Sequence, residues 1–161
     1  MTMPSLNCLC DGETLDEVIR RECAVVFDLR FCRSVAISPD DRDTETCDPI
    51  EAEFATLYAL TDLGEAIAIH DVDLSSAGAD EVATVARALF VAIVNARRDP
   101  PDMAQRHDAE QAALTIWITS IDRRCEDYKA LILLRFAYDN RTFRAMVVPG
   151  KRCNSPEGTP P

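Results

Sequence analysis

The segment ADEVATVARALFVAIVNARR, residues 79–98, constrains the fold more than any other stretch of the chain. Val82, Val85, Ala86, Leu89, Ile93 and Ala96 recur at helical spacing, and Phe90, Val91 and Val94 widen that stripe. The polar strip left over, Thr84, Arg87, Asn95 and Arg98, is narrow. A helix apolar around most of its circumference has to be covered on more than one side. The rest of the chain must therefore supply a sheet for it to lie on and a further neighbour. The paired prolines of RDPPD end it, because proline cannot continue a helix.

The remaining patterns supply that sheet. ETLDEVIRREC, 13–23, places acids first and arginines late around Leu15, Val18, Ile19 and Cys23, which suits the helix dipole and predicts a short amphipathic helix. AVVFDLRF, 24–31, and SVAIS, 34–38, are β-branched and aromatic and read as two strands. Pro39 to Pro49 reads as an acidic loop. Residues 50–73 carry two signals. Asp48, Pro49, Glu51 and Gly64 resemble helix start and stop residues. The alternation of Phe54, Tyr58 and Leu60 and the turn TDLGE favour a hairpin, 52–61 with 65–73. QRHDAEQ reads as a loop, ALTIWITSI (113–121) as a strand, and YKALILLRFAY (128–138) with FRAMVV (143–148) as a second hairpin around DNRT.

The expectation is an α+β fold: one domain over 13–149, a mainly antiparallel sheet with one long buried helix packed on a face and a short N-terminal helix. A flexible N-terminal arm, 1–12, and a flexible C-terminal tail, 150–161, flank it.

At 161 residues, with 47% apolar and 28% charged residues, the chain is long enough to bury a core and has a globular composition. No apolar run reaches the roughly 20 residues of a membrane helix. The N-terminus lacks the basic and apolar regions of a secretory signal, which predicts a soluble cytoplasmic protein. The seven cysteines are then reduced thiols, with Cys23 and Cys32 acting as small core hydrophobes.

The net charge of −11 is unevenly placed. Residues 1–80 hold 18 acids against 5 arginines, and the remainder 10 acids against 12 bases. The densest part is PDDRDTETCDPIEAE, 39–53, with Asp40, Asp41, Asp43, Glu45, Asp48, Glu51 and Glu53 against Arg42. Such a surface repels nucleic acid and anionic membrane and attracts a basic protein partner. The basic residues Arg123, Arg124, Arg141, Arg144, Lys151 and Arg152 are scattered and form no tract with interleaved aromatics.

Motifs that carry chemistry are few. HDVD, 70–73, superficially resembles the paired His-Asp of HD-type phosphohydrolases, which are helical proteins needing several further histidines; this chain has two. Regular alternation puts His70 on one face of a strand with Ala68 and Val72, and Asp71 and Asp73 on the other with Ile67 and Ile69. A strand running out into a polar turn accounts for the motif, and a small enzyme using His70 and Asp71 is the minor alternative. His107–Asp108 reads as a solvated loop pair. Cys8-x-Cys10 lacks zinc-knuckle spacing, and a zinc site adding Cys47 or Cys153 is not expected. Glycine-rich phosphate loops, GxSxG, HExxH and EF-hand patterns are absent. Trp117 reads as core. No cofactor or metal is expected.

The residues thus point to a non-enzymatic acidic interaction protein, its partner-binding carboxylates in 39–53. In size, acidity and lack of catalytic signature the chain is similar to small phage or mobile-element inhibitors such as anti-CRISPR proteins, a likeness of type carried by no motif. That likeness implies a nucleic-acid mimic blocking a nucleic-acid-binding machine. Element order and acidity also loosely resemble the dimeric escort chaperones of type III secretion. That implies a homodimer whose open sheet face, or the stripe around Leu89 and Phe90, captures an unfolded segment.

Overall fold

A computed structural model describes residues 6–9, 12–74, 78–124 and 132–149. The tail 150–161, most of the arm 1–12, and Cys10, Cys125 and Cys153 lie outside the described residues.

The first helix, α1 (Leu15–Glu22), starts where Thr14 donates from its backbone N–H and its hydroxyl to Glu17 Oε2, at 2.9 and 2.7 Å. This arrangement satisfies a backbone donor that the helix itself cannot. Leu15, Val18 and Ile19 form its buried face. Strands β1 (Val26–Ser38) and β2 (Asp41–Thr46) follow, then a 3-10 turn at Pro49–Glu51, and strands β3 (Phe54–Leu60) and β4 (Ala66–Asp73). Two long helices, α2 (Gly78–Ala96) and α3 (Ala104–Arg124), precede the final hairpin of β5 (Ile132–Asp139) and β6 (Thr142–Pro149). The strands form one antiparallel sheet in the order β4-β3-β1-β5-β6, with β2 paired to the far end of β1.

The α+β architecture and the antiparallel sheet are as the sequence predicts. The expected strand at 113–121 and the loop before it are instead one continuous helix. Its start is nucleated by Asp102, whose carboxylate accepts from the Ala104 N–H at 3.0 Å. Ala109, Ala113 and Trp117, four residues apart, make a buried stripe. The good helix formers of Gln105–Ala113 carry the helix into a β-branched segment, and burial of Trp117 outweighs the local strand preference. A helix thus lies where a strand was expected, and the sheet face carries two long helices rather than one.

The helices cover one face of the sheet. α2 packs between α1 and α3 and also meets β4, while α3 crosses β5 and β6. The expected cover for the apolar helix is therefore supplied by the two other helices. Phe27, Leu29 and Phe31 of β1 belong to this core. Leu57 lies opposite Leu29 on one side, and Phe136 and Leu134 lie opposite Phe27 and Leu29 on the other. Phe31 stacks on Trp117 with centroids 5.8 Å apart, and Phe143 meets both Phe90 and Phe136. Arg87 of α2 and Arg106 of α3 both bond the buried Glu110 carboxylate, at 3.0 and 2.7 Å, locking the two helices together.

The opposite face of the sheet is polar at its centre. Asp28 is fully buried there, held bidentately by Arg135 from the paired position on β5 at 2.7 and 3.0 Å, and by Arg30 at 3.1 Å. Arg30 lies over the Tyr58 ring, 5.1 Å from its centroid.

Candidate functional site

The residues expected to form an acidic loop form a two-stranded ribbon instead. Cys32 is paired with Phe54 of β3 on one side and with Thr46 of β2 on the other. Beyond Cys32, β3 has ended, and residues 33–38 pair only with β2. β2 has no second neighbour among the described strands. Both outer edges of the ribbon are thus unpaired by any described strand. A free edge attracts stray strands, and charge along it discourages them.

Pro39 and Asp40 make the turn, between the paired Ser38 and Asp41. No positive φ occurs in this turn, so it is not one of the mirror-image types that suit a two-residue hairpin. The register shift at Ile37 absorbs the mismatch and leaves that side chain 65% exposed near the tip.

Alternation along β2 puts Asp41, Asp43 and Glu45 on one face, about 6.8 Å between successive positions. Ser38, Val35 and Arg33, in that order, are their cross-strand partners on β1. Arg33 binds Glu45 at 3.3 Å and reaches Glu51 at 3.0 Å, joining the ribbon to the 3-10 turn. Those carboxylates hold the guanidinium pKa above its ordinary value, Glu45 contributing most. Glu53 accepts from the Ser34 N–H at 3.3 Å, and Asp43 from the Thr44 N–H at 2.8 Å. An isolated pair of strands is marginal in water; these bonds fix this one to the body.

The seven acids therefore divide. Glu45, Glu51 and Glu53 hold the ribbon in place. Asp40, Asp41 and Asp48 make no ion pair with any described residue, and Asp43 bonds only its neighbour's N–H. Arg33, the anchor of the ribbon, carries no signal in the sequence, because its partners Glu45 and Glu51 lie 12 and 18 residues away.

The HDVD motif sits at the opposite edge of the sheet, on β4. The expected alternation holds from His70 to Asp73, with His70 and Val72 inward, and fails one residue earlier. Leu57 pairs with His70 but Tyr58 pairs with Ala68, so Ile69 is an extra residue, a bulge. Ile69 and His70 consequently both point into the protein, the latter only 5% exposed. The His70 Nδ1 accepts from the Asn7 N–H at 3.3 Å, which leaves Nε2–H to donate to Glu81 Oε1 at 2.7 Å. Asp71 points away and accepts from the Thr56 hydroxyl at 2.6 Å. Its N–H is bonded by Asn7 Oδ1, and Cys8 N–H donates to the Ile69 carbonyl, so residues 6–9 run alongside β4. Cys8 lies near Asp71; burial first, and that carboxylate second, push its thiol up to about 11. His70 thus ties the N-terminal segment, β4 and α2 together with both ring nitrogens engaged. His107 and Asp108 are exposed on α3, and no bond in the described residues joins them to His70. Among the described residues no group of three His, Cys, Asp or Glu side chains is arranged to hold a metal ion.

Trp117 is core, as read. Leu89 and Phe90 are fully buried, Phe90 against Phe143 of β6, so the stripe expected to receive a client or a second subunit is occupied within the chain. Among the described residues no helix is long and apolar enough to cross a membrane. No family model, no curated protein and no solved structure matches the chain.

Proposed function

We propose that the chain is a non-enzymatic interaction protein that docks on a basic protein partner through the acidic ribbon. In its sharpest form it occupies an arginine- or lysine-lined groove that otherwise holds nucleic acid, as an inhibitor of the phage or mobile-element kind. The observation that carries this reading is the ribbon itself. Asp41, Asp43 and Glu45 line one face of a projection braced by Arg33, with Asp40 at its turn, and Asp40 and Asp41 make no ion pair among the described residues. A rigid row of negative charge clear of the body can enter a groove, and it costs little entropy to hold in place. Its attraction for a basic partner is long-range and falls steeply with salt.

The test separates local from total charge. Protein complexes captured from the native host at low and high salt are compared for three forms: wild type, Asp40→Lys/Asp41→Lys/Asp43→Lys, and a control with Asp62, Glu65 and Asp108 changed to Lys. The ribbon variant is expected to lose a basic partner at least about tenfold while the control retains it. Equal losses in both variants, or none in either, remove the ribbon as the docking element. Capture that ignores salt and survives ribbon reversal favours the escort-chaperone alternative, whose remaining surface is the sheet face on which no described helix packs.

A further inference from the structure

A second site lies at the other end of the molecule, where the C-termini of α1 and α2 meet the start of β1. An open cleft of about 440 Å³ runs between them, with Ile19, Val25 and Ala96 as apolar wall. That volume is in the range of small-ligand sites. Arg97, Arg98 and Arg20, the last paired with Asp16, line it with the carboxylate of Asp99, so guanidiniums are in excess at its wall in a chain of net charge −11.

Two of these arginines are pre-positioned. Arg20 Nη2 donates to Asp16 Oδ2 and to the Asn95 carbonyl, at 3.0 and 3.2 Å. Arg97 Nη2 donates to the Ala24 carbonyl at 3.2 Å, and its guanidinium lies over the Tyr138 ring at 5.5 Å. The Arg20 bond caps the end of α2, and the Arg97 bond ties that end to the segment between α1 and β1. Each guanidinium has five N–H donors, however, and the Arg97 Nε, shielded from water, has no partner among the described residues. Arg98 is exposed and makes no bond with a described side chain.

Cys23 completes the lining. It ends α1 in the left-handed conformation, φ 50°, a position that glycine or asparagine usually takes. Of the four described cysteines it alone is exposed, so the expected role of small core hydrophobe falls to Cys32 and not to Cys23. Cys32 and Cys47 are buried, and the Cys8 and Cys47 thiols are held protonated by burial. A reachable thiol in a cleft lined by the held Arg97 and the exposed Arg98 is an arrangement that can receive a small disulfide bearing carboxylates.

We infer that Cys23 is a site of reversible thiolation by an anionic low-molecular-weight disulfide of the glutathione class, the carboxylates of the reagent being received by Arg97 and Arg98. The Cys23 thiolate attacks one sulfur of the disulfide, its proton having passed to solvent. The new Cys23–sulfur bond forms as the original S–S bond breaks, and the departing thiolate carries off the electron pair. The reagent is the oxidant and is itself half reduced.

The test uses the reduced full chain with three disulfides at equal concentration: glutathione disulfide (anionic), bis(2-hydroxyethyl) disulfide (neutral) and cystamine (cationic). Cys23 occupancy is followed by peptide mass spectrometry, each rate normalised to that of N-acetylcysteine amide. Cys23 is expected to be modified before Cys8, Cys32 and Cys47 and to favour the anionic over the cationic reagent about tenfold. Arg98→Glu, a change at an exposed, unbonded side chain, is expected to erase that preference while Arg98→Lys keeps it. A normalised anion-to-cation ratio at or below one, or a ratio that Arg98→Glu leaves unchanged, overturns the inference.

Discussion

Asp28 shows what a single buried carboxylate does in this sheet. It lies opposite Arg135 across a strand pair, and Arg30 closes over it two residues on. Removing the carboxylate leaves two guanidiniums facing each other on a partly dry surface. Asp28→Ala is expected to cost about 3 kcal/mol in urea unfolding, with Asn recovering part of it; a loss under ~1 kcal/mol would mean the arginines reach water unaided. The buried thiols make a second prediction. Cys8 and Cys47 are pushed up from 9.0 to about 11, burial being the largest cause at both. The unfolded chain ionises these thiols first, so stability is flat below pH 9 and falls as pH rises towards 11. The urea midpoint measured from pH 7 to pH 11 is expected to drop in that window, and to drop less in a Cys47→Ala variant.

Among the elements, α3 departs furthest from local preference. Residues 113–121 hold Thr115, Ile116, Ile118, Thr119 and Ile121, a composition that favours strands, yet they continue a helix begun nine residues earlier. The reason is packing: Ala109 and Ala113 are small and fully covered, letting α3 approach its neighbours, and Trp117 reaches Phe31. Enlarging that contact should be felt at once. Ala113→Leu is expected to destabilise the protein by about 1–3 kcal/mol, read as a lowered thermal midpoint, whereas the same change at the half-exposed Ala112 should be near neutral. The β4 bulge is the other element that alternation could not supply. One extra residue puts Ile69 on the inner face together with His70, which meets Glu81, while ordinary alternation keeps Asp71 on the other face.

For the whole molecule, the two ends carry opposite character: an acidic ribbon formed by the far end of β1 with β2, and a guanidinium-lined cleft at the start of β1. The ribbon contributes little to the core, since its residues are exposed from Ala36 to Glu45. Reversing Asp40, Asp41 and Asp43 is therefore expected to change unfolding free energy by no more than about 0.5 kcal/mol. Circular dichroism melts of the variant check this, and a large loss would show that the ribbon supports the fold rather than presenting charge.

Much of this was legible in the chain. The all-round apolar pattern of 79–98 required cover on several sides, and the two hairpins and the short first helix announced themselves through turn residues and periodicity, because those signals are local. The concentration of acid in 39–53 was equally plain, since charge is counted without knowing the fold. What tertiary structure alone decided was which segments answered each other. Residues 113–121 became helix because Phe31 and α2 offered a surface for Trp117 and Ala113. The acids became a braced ribbon because β1 ran on past β3 and Arg33 reached Glu45 and Glu51. Cys23 came to share a cleft with Arg97 and Arg98, more than 70 residues away in sequence, because α1 and α2 end side by side. Contacts between residues far apart in the chain depend on the arrangement of the whole, and no window of sequence contains them.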